Sequence, residues 1–468
     1  MKPFLLINTN VAQPPISPVG LEYVGEALVE AKVPVKVLDL AFVTDWKAAL
    51  ARELKDTEPL AVGLSVRNTD DCCFATRKSF LPWINEVVTE VRRLTQAFVL
   101  LGGTGFSVMP EAVLRITQAD AGIAGDGEEA MLTLAKCLMN GEDISQLPNI
   151  VHWHKENIVC NPRIDVNLQQ LPGPRRHLFN NRGYEEAGAI VGIETKRGCS
   201  QRCIFCADPV AKGSRIRLRP PITVMQEFQN LLAQGVSWFH LCDSEFNLPI
   251  RHAKEVCRTI IQAGLGDKMR WYTYCSPTPF DHELAGLMKR AGCAGINFGV
   301  DSLCNEQLSR LDRSHSMGDI QQLVQILKEK ELNYIFDLLI GGPGETKETV
   351  KATIQKVREL NIPLAGIAAG VRVYPGTPLG KAIAKGSIKD GLYPGVGHTF
   401  SEPFFYLSPY LGNDAHSLIN ELVAGDTRFL VLSSPAEERS YNYADDEALC
   451  QLIQKGARGA YWDIISRS

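Results

Sequence analysis

Three cysteines lie within eight consecutive positions, in the stretch KRGCSQRCIFCADP (196–209). The C-x3-C-x2-C spacing of Cys199, Cys203 and Cys206 lets one short loop place three thiolates around a single inorganic centre, and soft thiolates suit zinc or iron–sulfur chemistry. Closed zinc sites and electron-transfer clusters use four protein ligands, whereas no fourth cysteine or histidine lies near this loop in the sequence. Three ligands leave one coordination position open, as a catalytic centre requires. The alternatives are incidental loop cysteines or a zinc site completed by a distant residue.

The remaining composition is that of an ordinary globular protein. The chain has 468 residues, more than one hydrophobic core usually supports, and 45% of them are hydrophobic, so we expect several domains. The formal net charge is −4 and the Lys and Arg residues are scattered, which argues against a nucleic-acid partner. No apolar run has the length of a signal peptide or a membrane span, and the 13 cysteines lack a regular framework. These features predict a cytoplasmic protein without a membrane span.

The first 140 residues alternate short β-branched runs with amphipathic segments. This pattern predicts an α/β domain over 1–140 with a mostly parallel, doubly wound sheet of the flavodoxin-like (Rossmann) type. Ligands of such sheets bind beyond the carboxyl ends of the strands, so the residues that follow the third, fourth and fifth strands are candidate contacts. The predicted strands are 4–8, 33–40, 60–66, 97–103 and 121–127, and the predicted helices are 18–32, 45–56, 77–95, 108–117 and 128–140.

Residues 141–188 are rich in Pro, Gly, Asn and charge and lack a sustained period, which predicts a linker, although the alternation in VHWHKEN (151–157) is typical of one face of a hairpin. The alternation of strands and helices restarts at 189 and predicts a partial (β/α)6 barrel over 189–389, with its chemistry at the carboxyl ends of the strands. Residues 390–468 break this rhythm, and we assign them to a small α-rich capping or substrate domain. The six predicted barrel strands lie near 189–195, 236–242, 270–275, 295–300, 333–340 and 366–373.

The cysteine loop, with the aromatic Phe205 before its last cysteine, resembles the signature of the radical S-adenosylmethionine (SAM) superfamily. Four further segments at predicted strand ends resemble other motifs of that superfamily: HLCDSEFNL (240–248), GVDSLCNEQLSRLDR (299–313), LLIGGPGET (338–346) and VYPGTPL (373–379). Taken singly, the last two are also ordinary turns, and Arg313 could simply cap a helix. The resemblance implies a [4Fe-4S] cluster on the three cysteines, with SAM bound to the open iron. The SAM contacts that it implies are Phe205, Asp243, Ser244, Glu245, Asp301, Ser302, Arg313, Gly341, Gly342, Tyr374 and Pro375.

The first domain is not a dinucleotide site, because GGTGF (102–106) follows the fourth strand and no G-x-G-x-x-G opens the first helix. It resembles instead the cobalamin-binding domain that precedes many radical SAM cores. The chain has no histidine before His152, so the resemblance implies cobalamin held without a histidine ligand. Arg67 could reach the lower cobalt face or could pair on the surface with Asp70 or Asp71. The implied cobalamin contacts are Ser65, Arg67, Asn68, Gly102, Gly103, Thr104, Gly105, Phe106, Gly125, Asp126, Gly127 and Glu128.

Together the two resemblances imply a cobalamin-dependent radical SAM enzyme, and foremost a methyltransferase that moves a methyl group from cobalamin to an unactivated carbon of a small molecule or peptide. An external one-electron reductant such as flavodoxin or ferredoxin would reduce the cluster. The alternatives are cyclisation, rearrangement or polar methyl transfer with the same cofactors, and a non-catalytic cobalamin or cluster carrier. Candidate catalytic residues are Arg67, Tyr272 and Tyr274, although both tyrosines could also fill the barrel core.

Overall fold

The computed structural model describes residues 2–171, 173–394, 402–412, 415–433 and 446–467. Within these ranges, no helix is long and apolar enough to cross a membrane. The described chain forms two α/β units, and each is built on a seven-stranded sheet. The first unit contains β1 (Phe4–Asn8), α1 (Val19–Glu30), β2 (Val35–Asp39), α2 (Trp46–Thr57), β3 (Ala61–Ser65), α3 (Leu81–Leu94), β4 (Phe98–Gly102), α4 (Thr104–Val108), α5 (Pro110–Thr117), β5 (Ala121–Ile123), α6 (Glu128–Asn140), β6 (Ile150–His154) and β7 (Asn157–Cys160).

The first sheet has the strand order β2-β1-β3-β4-β5-β6-β7. Its first five strands are parallel, and Asn8 at the end of β1 lies beside Asp39 of β2 and Ser65 of β3. The strand order reverses between β1 and β3, which opens a crevice at their carboxyl ends. The predicted doubly wound sheet is therefore confirmed. The segment predicted as a linker adds to it, because β6 and β7 form a hairpin that pairs antiparallel with β5.

Local sequence explains where the helices of this unit begin and end. The predicted helix 77–95 starts only at Leu81, because Pro82 lacks an N–H and fits the first turn. The predicted helix 108–117 is preceded by the short helix α4, and the two are separated at Met109, before Pro110. α6 ends at Asn140, because Gly141 after it has the left-handed φ of +68°.

The second unit continues the alternation of strands and helices around one main parallel sheet, with two small antiparallel sheets beside it. It contains α7 (Asn181–Glu186), β8 (Val191–Ile193), β9 (Lys196–Arg197), α8 (Asp208–Lys212), β10 (Arg217–Leu218), α9 (Pro221–Ala233), β11 (Trp238–Leu241), α10 (Ile250–Gln262), β12 (Arg270–Cys275), α11 (His282–Arg290), β13 (Cys293–Asp301), α12 (Asn305–Arg310), α13 (Met317–Lys330), β14 (Tyr334–Ile340), α14 (Lys347–Glu359), β15 (Ala365–Ala369), β16 (Val371–Arg372), α15 (Pro378–Ala384), β17 (Leu392–Tyr393), β18 (Phe405–Tyr406), α16 (Ala415–Val423), β19 (Phe429–Val431), α17 (Glu447–Gln454) and α18 (Tyr461–Ser466).

The main sheet of the second unit has the order β19-β15-β14-β13-β12-β11-β8, and all of its strand pairs are parallel. Alternate residues such as Phe239, Phe298 and Phe336 pack in the large core under the helices. The residues between them face the inside of the curved sheet. The six predicted strands are present, and a seventh, β19, comes from the segment predicted to be an α-rich cap.

The C-terminal segment closes the lower, N-terminal end of the curved sheet. Trp462 of α18 packs with Tyr272 of β12 and Leu430 of β19 in one buried cluster. The carboxylate of Asp463 accepts a hydrogen bond of 2.7 Å from the Tyr272 hydroxyl and one of 3.0 Å from Asn333 Nδ2. The segment predicted to be a small α-rich cap thus packs into the core of the second unit, and its boundary at 389 remains a prediction.

The two units are joined by buried charges. The Arg176 side chain is fully buried, and it donates to Glu22 Oε2 of α1 at 2.6 Å and to Glu227 Oε1 of α9 at 2.7 Å. Tyr23 of α1 donates to the same Glu227 oxygen at 2.8 Å. Because α1 belongs to the first unit and α9 to the second, this network fixes one unit against the other. Arg176, at the centre of this network, belongs to the segment 141–188 that was predicted to be a linker.

Candidate active site

A cavity of about 690 Å³ lies between the two units. One side is formed by the carboxyl ends of the strands of the first sheet, and the other by the inner face of the second sheet. Residues predicted for cobalamin, SAM and catalysis therefore meet at one place. Those that line the cavity are Ser65, Arg67, Asn68, Gly102, Gly103, Thr104, Gly125, Asp126, Gly127, Glu128, Asp243, Ser244 and Tyr274.

The glycine loop after β4 gives the cavity a wall without side chains. Gly103 has a φ of +98°, and a Cβ at this position would lie 2.7 Å from the Val66 carbonyl oxygen, so only glycine fits. A Cβ on Gly102 would meet nothing within 4 Å, because this residue opens on the cavity. Ser107, which the sequence analysis missed, joins two loops: its hydroxyl donates to the Gly103 carbonyl and accepts from Gly125 N–H, both at 2.9 Å. This wall suits close approach by an extended cofactor group.

Two predicted cobalamin contacts do not line the cavity. Phe106 is fully buried, and its ring occupies the space that a Cβ on Gly122 would need. Gly105 packs against the backbone of Asn68, where a Cβ would lie 2.9 Å from the carbonyl carbon. Both residues shape the loop from below, so their assignment as direct contacts is corrected.

Asp126 and Glu128 reach the cavity edge, but their carboxylates bind arginines of the second unit. Arg197 contacts Asp126 Oδ1 at 3.0 Å and Glu128 Oε1 at 2.9 Å, and Arg217 binds the other Asp126 oxygen. Burial raises the pKa of Asp126, but the two guanidinium groups outweigh burial and leave this pKa below its ordinary value. These carboxylates therefore dock the two units, a function that the sequence analysis did not anticipate.

Arg67 faces the cavity and does not form the predicted surface pair. Asp70 instead binds Arg372 of β16, with 2.6 Å between Asp70 Oδ2 and Arg372 Nη2, while Asp71 is hydrogen-bonded within its own loop. Burial lowers the pKa of Arg67, and the groups that most oppose this change are thiols and phenols, not carboxylates. The Arg67 guanidinium thus enters the cavity without a carboxylate partner among the described residues.

The three thiols follow β9, on a loop that begins at the first strands of the second sheet. Burial raises the pKa of all three cysteines, that of Cys199 to about 11. Arg313 opposes this at one of them, because its Nη1 donates to Cys203 Sγ at 2.8 Å. Buried thiolates need a cationic partner, which an iron–sulfur cluster supplies. Among the described residues, no three His, Cys, Asp or Glu side chains converge on a point that would hold a single metal ion.

Next to the thiols lies a group of buried charges from three strand ends. Arg313 Nε is 3.0 Å from Asp301 Oδ2, and both side chains are largely buried. Burial raises the pKa of Glu245 to about 8, although Arg313 opposes it. Glu245 Oε2 is buried and has no hydrogen-bond partner among the described residues. This oxygen fits an ammonium or hydroxyl group of a bound cofactor, so the residues present suit the methionyl end of SAM.

Other predicted SAM residues have partners within the protein. The Ser302 hydroxyl is 3.1 Å from Thr353 Oγ1, and Asp243 accepts from Lys196 Nζ at 3.1 Å. Both side chains therefore stabilise the strand ends around the site. The hydroxyl of Tyr374 lies 3.3 Å from Cys72 Sγ and its ring packs on Arg372, so it faces the loop that carries Arg67.

The strand-end glycines and Phe205 also have structural surroundings. Gly341, with a φ of +104°, and Gly342 form a turn closed by Glu345, whose carboxylate accepts from both N–H groups. Phe205 packs with Val371 of β16 in a small apolar cluster. Pro375 follows Tyr374 in the sixth-strand motif. As direct SAM contacts, these residues remain predictions.

The chain matches two family descriptions, "B12 binding domain" over residues 5–135 and "Radical SAM superfamily" over residues 193–357. A tryptophan 2-C-methyltransferase from Streptomyces laurentii is 32% identical, with 81% of this chain and 74% of that protein covered. The structure of the radical SAM methyltransferase TsrM from Kitasatospora setae, with tryptophan substrate and a SAM analogue bound, is 30% identical with a TM-score of 0.93, and the match covers 100% of this chain and 98% of that one. The chain belongs to the cobalamin-dependent radical SAM methyltransferase family.

A more distant solved structure has the same fold. The cobalamin-dependent SAM radical enzyme OxsB is 14% identical with a TM-score of 0.72, and the match covers 87% of this chain and 64% of that one. The predicted family, fold class and methyltransferase activity are thus confirmed. The two family domains also confirm the expected cofactor set of cobalamin, a [4Fe-4S] cluster and SAM. This outcome excludes the non-catalytic carrier.

Within this methyltransferase, the structure separates the two candidate tyrosines of β12. Tyr272 is buried at the lower end of the sheet, where its hydroxyl donates to Asp463, so it does not line the cavity. Tyr274 lines the cavity and is 42% exposed. The neighbouring strand contributes His240, which the sequence analysis missed. The sequence signals for His240 were its position two residues before the end of a predicted barrel strand and its place as the first residue of the HLCDSEFNL segment.

Proposed function

We propose that this methyltransferase transfers a methyl group to a ring carbon of tryptophan or a closely related indole-bearing amino acid. The observation that carries the proposal is the match over the whole chain to TsrM, whose structure contains tryptophan. The cavity in this chain supports it, because its inner wall carries polar and aromatic side chains, including His240 and Tyr274, suited to an aromatic amino acid.

Residues beside the cavity, on the cysteine loop and at the neighbouring strand ends, would hold the cluster and SAM. When bound, cobalamin and SAM would be the sources of the methyl group. Cys199, Cys203 and Cys206 hold the cluster, and Arg313 offsets the charge of Cys203. Glu245, with its unpartnered oxygen, holds the methionyl end of SAM.

Cobalamin is held by the first unit without a histidine ligand. The histidine among the described lining residues, His240, projects from β11 of the second sheet. Arg67 enters the cavity from the loop after β3 and would contact the bound cofactor from that side. Gly102 and Gly103 leave room for the nucleotide tail, because they present no side chains.

The chemistry of an indole favours the polar route among the alternatives considered. The double bond between the two carbons of the indole's five-membered ring can supply the electron pair for the new bond to the methyl group, which is transferred as a cation; the methylated carbon then gives its ring proton to water, which restores the aromatic ring. No hydrogen atom has to be removed from the substrate.

A one-electron reductant such as flavodoxin or ferredoxin would keep the cofactors in their active oxidation states. We also propose a cytoplasmic location, which the lack of a regular cysteine framework in the sequence supports.

The test is anaerobic reconstitution with iron, sulfide and hydroxocobalamin, followed by incubation with tryptophan and SAM that carries a deuterated methyl group. We expect mass spectrometry to find the labelled methyl group on the indole ring, without deoxyadenosine in equal amount. Stoichiometric deoxyadenosine would support the radical route instead. A protein that binds corrin but methylates neither tryptophan nor its ring-substituted analogues would contradict the proposal. Cys203→Ala, reconstituted in the same way, is the control without an intact cluster.

A further inference from the structure

The inner face of the second sheet has an aromatic lower layer. Trp238 of β11 and Tyr272 of β12 stack with their ring centroids 6.3 Å apart, and Trp462 meets Tyr272 edge-on at 6.0 Å. Gly295 of β13 makes room for Trp462, because a Cβ there would lie 2.9 Å from its ring. This layer closes the bottom of the cavity.

The next layer up consists of polar side chains from the same strands. His240, Tyr274 and Asn297 lie two positions after Trp238, Tyr272 and Gly295, so they project to the same face and line the cavity. Both polar atoms of the Asn297 amide have protein partners: Oδ1 accepts from Trp462 Nε1 at 2.6 Å, and Nδ2 donates to Asp337 Oδ2 at 3.0 Å. This residue therefore belongs to the floor.

His240 and Tyr274 differ from Asn297 in having no protein partner. Their rings meet with centroids 5.3 Å apart at an angle of 64°. In the part of the chain that the structure describes, neither the imidazole nitrogens of His240 nor the hydroxyl of Tyr274 forms a hydrogen bond. Both side chains face the open cavity, so their polar groups are available to form hydrogen bonds with a ligand that fills it.

Carboxylates and cations both surround this pair; the two carboxylates that act most strongly on it, Asp243 and Asp337, already have protein partners, whereas Arg67 has no carboxylate partner among the described residues. The Arg67 guanidinium acts on both residues and lowers both of their pKa values, while burial has the larger effect on each and keeps the imidazole and the phenol neutral. A neutral imidazole and a neutral phenol each offer one hydrogen-bond donor. Two donors beside an arginine without a carboxylate partner form an environment that suits a carboxylate.

We propose that His240 and Tyr274 bind the α-carboxylate of the amino-acid substrate; this inference rests on the proposed function. The imidazole N–H and the phenol O–H each donate to one carboxylate oxygen. The substrate's carboxylate then points towards the aromatic floor, and its ring points up towards the corrin and SAM. His240 and Tyr274 thereby orient the ring carbon that is methylated.

The test compares tryptophan with tryptamine, which lacks the carboxylate, and with indole-3-propionate, which keeps it. With the reconstituted wild-type enzyme we expect KM for tryptamine to exceed that for tryptophan by about tenfold or more, since hydrogen bonds to a charged group are among the stronger ones. Tyr274→Phe and His240→Phe should raise KM for tryptophan and indole-3-propionate by a similar factor. KM for tryptamine should stay nearly unchanged, so the preference for a carboxylate is lost.

Tyr272→Phe is the matched control, because it removes the same hydroxyl from the same strand one layer below; it should leave the preference as in the wild type. The corrin absorbance of each variant verifies that it folds and binds cobalamin. Wild-type preference in both Tyr274→Phe and His240→Phe would overturn the inference while leaving the proposed function intact. A wild-type enzyme that methylates none of the three indoles would instead overturn the proposed function, and the inference with it.

Discussion

At the scale of single residues, the site depends on buried charged groups whose partners lie at other strand ends. Arg313 is the clearest case: it contacts Cys203 of the cluster loop, Asp301 at the end of β13 and the carbonyl of Gly299. One guanidinium therefore joins a cluster ligand to the SAM-binding side. Neither a helix cap nor a direct clamp on SAM, the two roles considered from the sequence, describes these contacts.

Glu345 gives a prediction about stability and pH. Burial raises its pKa to about 7, although hydrogen bonds from Gly341 and Gly342 oppose the rise. The folded carboxyl thus holds its proton more tightly than the unfolded one, whose pKa is near the ordinary value of 4.5. This proton stabilises the fold below the ordinary pKa, and the contribution is lost as the pH rises towards the folded pKa.

We expect Glu345→Gln to remove this pH dependence. In urea titrations of cofactor-free protein between pH 5 and pH 8, about the range between the two pKa values, the wild type should lose on the order of 1–3 kcal/mol more stability than the variant. The control is Glu348→Gln, because Glu348 is exposed on the first turn of α14. Equal slopes for the wild type and Glu345→Gln would show that Glu345 is ionised in the folded protein.

At the scale of elements, the C-terminal segment completes the second sheet. β19 pairs with β15, and α18 packs below the sheet with Trp462 only 2% exposed. The strands and helices of 189–389 alone would leave the lower aromatic layer open to water. The floor of the cavity is therefore built from residues that are far apart in the chain.

Trp462→Ala tests this role. The substitution removes a buried indole and leaves Asn297 Oδ1 without its donor, so we expect the free energy of unfolding to fall by about 3–5 kcal/mol. Urea titration of the cofactor-free protein measures the loss. Tyr410→Ala serves as the control, since Tyr410 is 69% exposed and its removal should change stability by about 0.5 kcal/mol or less. A small effect of Trp462→Ala would mean that α18 does not support the sheet.

At the scale of the whole molecule, ion pairs hold the two units on either side of the cavity. One network joins Glu22, Arg176 and Glu227, and the other joins Asp126, Glu128 and Arg197. The residues of both networks are buried, and within each network they come from distant parts of the sequence. The width of the cavity therefore follows from these contacts as well as from the two sheets.

Arg176→Met tests whether this buried arginine holds the two units together. Glu22 would stay buried without its cation, and breaking one partner of a buried pair typically costs about 3–5 kcal/mol. We expect lower stability in urea and faster proteolysis in the segment between the units. Arg182→Met, which removes an exposed pair with Glu186, should change stability by about 0.5 kcal/mol or less. Similar behaviour of the two variants would rule out a docking role for Arg176.

The local patterns of the sequence predicted much of the fold and the site. The three cysteines lie on one loop, so their spacing alone indicated a cluster with an open position. Parallel strands bring their carboxyl ends to one edge, so most of the residues predicted for cobalamin line one cavity together with Asp243, Ser244 and Tyr274. The contacts predicted in the other strand-end motifs remain predictions. The domain boundaries at 140, 188 and 389 remain predictions, because a boundary depends on contacts across it.

The sequence by itself determined the family, the two sheets and the cluster loop, because each depends on residues near one another in the chain. Only the tertiary structure decided that Asp126 and Glu128 dock the units, that Tyr272 supports the floor while Tyr274 and His240 face the cavity, and that β19 completes the sheet. The physical reason is that burial and charge pairing are set by residues far apart in sequence. Asp70 with Arg372, and Glu22 with Arg176, meet only when both units are folded and in contact.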